Sequence, residues 1–505
     1  MNHEKNPSDE LLERGWLDMS SLVRNNQGPI GHDSFGASRV LLFLLLSLAC
    51  GPGKTEVDMS KAWTLDPQRF ALEKAEKTLD NGIRVVAVRK AKLPIFQLEM
   101  ELEAGSVLDP PGKEGLASLA GDMLDEGAGG LSSEKIAEAF ESMGGRFYIN
   151  VGKTSTRASL KCLSPDADTL LAIMAKVVVS PDCKKEDFAK LRKRTVSSIY
   201  SAKSDPNTVS DWSFDELIYQ GHPLAHPVIG YDSTVSKITL DEVKGFYKDW
   251  YCPARATIVV VSDMSPEDAI ALVEKHLGAW KNQGKPLPVL APMPPVEGKK
   301  VKVVRMPEIN QCYIGFGARG IKRTSPDYNA LRTANYILGG SGFSSKITKR
   351  IRVELGFAYS VFGYYSSGFA FGDSVYPGIY YAGLETKLAS GNQAIAELLS
   401  LIKDARDKGF AREDLEDAKK YYRGSIARSS ETYGQVAGLV MYGEEFGLPE
   451  LYWIEDIMAI SNLSLDQVNA AARANFDPDN FVLVVVADTS FRLEAYPEAE
   501  YMDWK

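Results

Sequence analysis

A chain of 505 residues is too long for one ordinary hydrophobic core, and 44% hydrophobic against 25% charged residues is the balance of a folded globular protein. The net charge of −9, with no Lys/Arg stripe interleaved with aromatics, excludes the usual nucleic-acid-binding surface. The five cysteines match no zinc-ribbon spacing.

At the N-terminus Arg39 precedes an apolar run, VLLFLLLSLA (40 to 49), which ends at Cys50-Gly51-Pro52-Gly53. A bilayer span needs about 20 apolar residues, so this run is too short to cross one and suits the h-region of an export signal. The Leu-Ser-Leu-Ala-Cys ending resembles a bacterial lipobox. That implies cleavage before Cys50, a lipid on its thiol, and a lipid-anchored protein of the bacterial cell envelope on the periplasmic side; the other reading is an uncleaved hydrophobic segment. Residues 1–49 are then the export signal and 50–69 a tether. Cys162, Cys183, Cys252 and Cys312 are expected as unpaired buried thiols.

Strands are expected at 83–90 and 95–104, where apolar and polar residues alternate, and helices at 134–143 and 186–203. A further strand, ATIVVVS (256 to 262), closes this half. The chain then repeats itself. SKITLDEVKGFYKDWYCPARATIVVVSD (236 to 263) aligns without a gap on SNLSLDQVNAAARANFDPDNFVLVVVAD (461 to 488), and EDFAKLRKRTVSSI (186 to 199) matches EDLEDAKKYYRGSI (413 to 426). This is a tandem duplication. The second copy predicts helices at 392–407 and 413–428 and a strand at 481–487. The fold class is α+β: two homologous domains, 70–283 and 301–490, each a largely antiparallel sheet packed with helices. Between them the proline-rich 284–300 reads as a linker, and 491–505 as a tail.

The stretch GLASLAGDMLDEG (115 to 127) has helical period, with Leu116, Leu119, Ala120, Met123 and Leu124 on one stripe and Ser118, Gly121 and Asp122 on the opposite side. Histidines at 118 and 122 with a glutamate at 121 would make the zinc motif H-x-x-E-H, and none of the three is present. His222 and His226 stand in a Gly/Pro loop, each followed by proline, and are expected to be structural; His276 is expected on a helix surface.

TLDNGIRVVAV (78 to 88), EAGSVLDPPGKEGLASLAGDML (103 to 124), YQGHPLAHPVIG (219 to 230) and GGSGFSSKITKRIRVELGFAYSV (339 to 361) resemble, in order, blocks of the insulinase-type metallopeptidases, the group containing pitrilysin and the mitochondrial processing peptidases. The resemblance implies two similar domains facing each other across a chamber in which extended peptides are cut. It places the family's zinc ligands at Ser118, Asp122 and Ser198 and its general base at Gly121. Hydroxyls and one carboxylate make a poor zinc site, and glycine has no side chain to take a proton. No metal or other cofactor is therefore expected in this chain.

Active members also use an arginine and a tyrosine of the second domain to hold the peptide and steady the oxyanion. The matching residues are Arg352 and Tyr359, with Gly356 expected to end the helix that carries Arg352. The Gly-rich run 338–345 fits no phosphate-binding motif and reads as a chamber loop. The aromatic-rich 361–383 reads either as core or as an exposed sheet edge that adds a peptide strand.

The resemblance leaves two functions open. In one, the chain is the zinc-less subunit of a heterodimeric peptidase, lending Arg352, Tyr359 and half of the peptide chamber to a zinc-bearing insulinase-type partner. In the other, it is an inactive peptide-binding or scaffold lipoprotein.

Overall fold

The computed structural model describes residues 66 to 504, so the expected export signal and lipid-bearing Cys50 lie outside the described residues. The first half forms a six-stranded sheet from β1 (Glu73–Thr78), β2 (Arg84–Arg89), β3 (Ile95–Leu102), β4 (Arg146–Val151), β5 (Thr156–Leu163) and β6 (Ala256–Ser262). Its order is β1-β2-β6-β3-β5-β4, antiparallel except for the β2–β6 pair. The second half repeats this with β7 (Lys299–Arg305), β8 (Gln311–Arg319), β9 (Ala358–Tyr365), β10 (Ile379–Lys387), β11 (Phe481–Ala487) and β12 (Glu500–Asp503), in the order β9-β10-β8-β11-β7-β12. The α+β class and the duplication read from the sequence are thus present in five of the six strands of each sheet, with β6 and β11 at equivalent places.

β6 and β11 are runs of valine buried on both faces, as suits an interior strand with layers above and below. The outermost strand differs between the halves. Beside β2 it is β1, from earlier in the chain, whereas beside β7 it is β12, from within the stretch read as a tail. The expected helices appear as Ser133–Ser142, Lys185–Lys203, Gly391–Asp407 and Arg412–Ser429. Residues 281–297 have no regular structure, and Lys299 and Lys300 of the expected linker already belong to β7. Cys162, Cys183, Cys252 and Cys312 are buried free thiols.

Seven helices shape the regions of functional interest: α1 (Leu116–Asp122), α2 (Lys185–Lys203), α3 (Pro206–Ile218), α4 (Tyr328–Asn335), α5 (Arg412–Ser429), α6 (Tyr433–Phe446) and α7 (Tyr452–Asn462). α3 and α6 hold matching places in the repeat, and each crosses to the other half. Val209, Phe214 and Ile218 of α3 pack on Val482, Val484 and Val486 of β11, while Tyr433, Val436, Ala437 and Met441 of α6 pack on Val86, Val88, Val259 and Val261 of β2 and β6. Full burial of one large aliphatic or aromatic side chain is worth about 1.5–3 kcal/mol, so this exchange clasps the halves firmly.

Gly424, inside α5, faces open space: a Cβ built there meets nothing within 4 Å. Gly424→Ala is expected to raise stability by about 0.5–1 kcal/mol, seen as a higher urea midpoint with an unchanged slope.

Candidate functional site

α1 is held at its start by Asp109, whose carboxylate accepts from the backbone N–H of Gly115 (2.8 Å) and Ala117 (2.7 Å). Burial pushes that carboxyl up to about 7. Gly115 begins the helix at φ +98°, with the backbone oxygen of Ile229 only 2.7 Å from where a Cβ would stand. The apolar stripe packs as its period requires, from Leu116 to Leu124. The polar side, however, is not open to solvent. Ser118 is buried, and the space beside Gly121 is filled: a Cβ there would lie 2.2 Å from Val151 Cγ2 and 3.2 Å from the Tyr251 hydroxyl. Tyr251 is itself fully buried and hydrogen-bonded to Thr156 Oγ1 at 3.0 Å.

The residues present do not fit a zinc ion. Ser118 Oγ donates to Asp122 Oδ2 at 3.4 Å, so the one carboxylate of the set is turned toward a hydroxyl. Ser198 lies exposed on α2, one turn beyond Arg194, and the cation of Arg194, not Ser198, acts on Asp122. Among the described residues, no group of three or more His, Cys, Asp or Glu side chains is placed to hold a metal.

Burial, with the charge of Asp125 beside it, pushes the Asp122 carboxyl up to about 6, well above the usual carboxylate value. The folded chain keeps a proton that the unfolded chain releases between about pH 4 and 6, so stability falls as pH rises through that window. Asp122→Asn is expected to flatten this part of the pH dependence and to stabilise the chain at pH 7 by on the order of 2 kcal/mol, read from urea midpoints at several pH values.

In the second half, residues Thr348–Glu354 wind as a π-helix, with Leu355 N–H donating to Arg350 O at 3.1 Å. Such turns are rare and concentrate at functional sites. Gly356 follows at φ +63°, and the chain enters β9, one of the two edge strands of its sheet. This turn brings Arg352 and Tyr359 together. The guanidinium carbon of Arg352 lies 4.6 Å from the Tyr359 ring centre and 4.4 Å from that of Phe343. Tyr359 is 84% exposed and Phe343 68%. Each such contact is worth about 0.5–1 kcal/mol at an exposed site, and the guanidinium carries five N–H donors that suit an acceptor.

The Gly-rich run is wound into two short turns, Tyr336–Gly340 and Gly342–Ser344. It seats against β9 because Gly339 and Gly363 meet backbone to backbone, a built Cβ on either standing 3.1 Å from the other's Cα. The aromatic stretch after it divides: Phe362 and Tyr364 of β9 are about half exposed, whereas Phe371, Tyr376, Tyr380 and Tyr381 are core. The histidines hold backbone and side-chain contacts. His222 Nδ1 accepts from Leu224 N–H, His226 Nε2 lies 3.1 Å from Ser106 O, and His276 pairs with Asp168 at 2.6 Å. Sequence reading missed Val151, Tyr251 and Phe343. Phe343 stands inside the block 339–361, but Val151 and Tyr251 are far from α1 in sequence and carry no local signal.

Family models match both halves in order: insulinase (peptidase family M16) over residues 84–232 and peptidase M16 inactive domain over 237–422. An uncharacterized zinc protease, YmxG, of Bacillus subtilis is 26% identical over 407 residues, 80% of this chain and 95% of that one. The non-peptidase homolog YmxG of Helicobacter pylori is 23% identical and covers 78% and 90%. A peptidase M16 inactive domain structure from Pseudomonas fluorescens matches with a TM-score of 0.76 at 26% identity, over 83% of this chain and 99% of that one. A protease structure from Helicobacter pylori shares the fold with a TM-score of 0.75 at 20% identity, over 82% and 100%. With both halves matched in order and the fold shared over four-fifths of its length, this chain belongs to the insulinase (M16) family, as a member without the H-x-x-E-H motif.

Proposed function

We propose that this chain is the zinc-less subunit of a two-chain insulinase-type peptidase, supplying Arg352, Tyr359 and half of the peptide chamber to a partner with an intact H-x-x-E-H helix. The observation that carries this reading is the contact between Arg352, half-buried on the π-helical turn, and Tyr359, turned to solvent on the edge strand that follows, while the zinc position of the same chain is packed shut. Residues kept only for packing would be buried. A guanidinium and a phenol both donate hydrogen bonds, and both fit a carbonyl oxygen that gains charge as its peptide bond is attacked. The edge of β9, with exposed Phe362 and Tyr364, suits an extended peptide that adds as a further strand.

The partner is identified by its motif: a second insulinase-type chain with both histidines and the glutamate in place. A tagged version of this chain is expected to co-purify with such a partner at one zinc per pair. Recovery as a homodimer, or with a non-peptidase partner only, would favour the scaffold reading. The envelope location belongs to the same proposal. Cys50→Ser is expected to abolish incorporation of a labelled fatty acid and to release the chain from the membrane fraction.

A further inference from the structure

The second half also carries an open cleft of about 410 Å³ between α4, α5, α6 and α7. None of its lining residues belongs to the zinc position or to the Arg352 and Tyr359 pair, and its volume is that of a small-molecule site. The walls are aromatic and unbalanced in charge. Tyr328, Tyr442, Tyr452 and Trp453 line it, with the Arg323 guanidinium already 4.3 Å from the Tyr328 ring centre, and Asp456 is the one carboxylate among the lining residues. That carboxylate is already satisfied: Oδ2 accepts from Arg323 at 2.7 Å and Oδ1 from Asn329 Nδ2 at 2.9 Å. Arg332, also in the wall, stands 3.7 Å from the same Oδ2 and stacks over the Tyr422 ring at 5.0 Å. Two arginines against one aspartate leave an uncompensated positive charge. Trp453 is 6% exposed, and its indole N–H is buried without a hydrogen-bond partner, which is costly in a folded protein and marks a spare donor.

The geometry points to a binding site for a small carboxylate that carries an aromatic ring, with Arg332 holding the carboxylate and the tyrosines and Trp453 enclosing the ring. The site communicates with the rest of the chain through α6. One face of that helix, Val436, Ala437 and Met441, packs on the first sheet, and the other, Gly438, Leu439 and Tyr442, lines the cleft. A ligand here braces the helix that clasps the two halves, so binding registers as a higher melting temperature of the whole unit.

The test uses the full chain with indole-3-acetate and 4-hydroxyphenylacetate as probes and the corresponding amides as controls, read by calorimetry and by the indole N–H resonances. One carboxylate is expected to bind saturably at one per chain with a dissociation constant below about 1 mM, at least about tenfold tighter than its amide. Arg332→Gln is expected to bring the acid down to the amide's level. Gly438→Leu places a side chain where a Cβ meets nothing within 4 Å, and is expected to abolish binding with the fold intact. Should Arg332→Gln fail to fold, Gly438→Leu still decides. No saturable binding, equal binding of acid and amide, or full binding by Gly438→Leu overturns the site.

Discussion

Arg352→Ala is expected to slow peptide cleavage by the proposed two-chain peptidase by about 10²–10³-fold, the usual cost of removing one preorganised donor to a developing oxyanion. The loss belongs in kcat as well as kcat/KM, because a guanidinium in the proposed role interacts more strongly with the charged transition state than with the bound peptide. Tyr359→Phe keeps the ring that stacks on Arg352 at 4.6 Å and removes only the hydroxyl, so it separates hydrogen bonding from positioning. Phe343→Ala does the reverse: both donors stay, and one of the two rings that fix the guanidinium is lost. Arg352→Ala gives up both ring contacts and is expected to cost this chain about 1–2 kcal/mol, whereas Tyr359→Phe is expected to leave its stability unchanged, since that side chain is 84% exposed and keeps its ring. A fall in cleavage with unchanged pairing and, for Tyr359→Phe, unchanged melting is therefore the signature of a direct role.

Gly121→Ala is expected to destabilise the chain by on the order of 1–3 kcal/mol, although Gly→Ala within a helix ordinarily stabilises. The reason is local. The new methyl would stand 2.2 Å from Val151 Cγ2, and a β-branched valine has few rotamers with which to give way. Val151→Ala in the same chain is expected to recover most of the loss, a coupling that a double-mutant cycle measures directly. The same crowding predicts that rebuilding the motif fails. A chain with Ser118→His, Gly121→Glu, Asp122→His and Ser198→Glu is expected to hold no stoichiometric zinc on metal analysis while Val151 and Tyr251 remain in place.

Much of this architecture was legible in the sequence because it is periodic or repeated. The valine runs of β6 and β11, the apolar stripe of α1 and the helices at 185–203 and 412–429 announce themselves by spacing, and the duplication fixes which elements correspond. What was not legible depends on long-range contacts. β12 is four residues, Glu-Tyr-Met-Asp, with no apolar run to mark a strand, and it exists because β7 offers an open edge. The exchange of α3 and α6 between halves is invisible to self-comparison, since the repeat identifies the helices but not which sheet each covers.

The candidate site shows the same division. The absence of histidine and glutamate at Ser118, Gly121 and Asp122 was plain, and the resemblance of the block around Arg352 and Tyr359 singled that pair out. That the vacated position is sealed by Val151 and Tyr251, and that Phe343 completes a stack around the guanidinium, are facts of three dimensions. They sharpen the functional contrast between a closed first half and an open second half.

Whether this chain completes another chain's active site is decided by titrating the zinc-bearing partner with this protein while peptide cleavage is followed. Cleavage is predicted to be low for the partner alone, to rise with added chain and to saturate at one chain per partner. Cleavage by the partner that is equally fast with and without this chain would contradict the account.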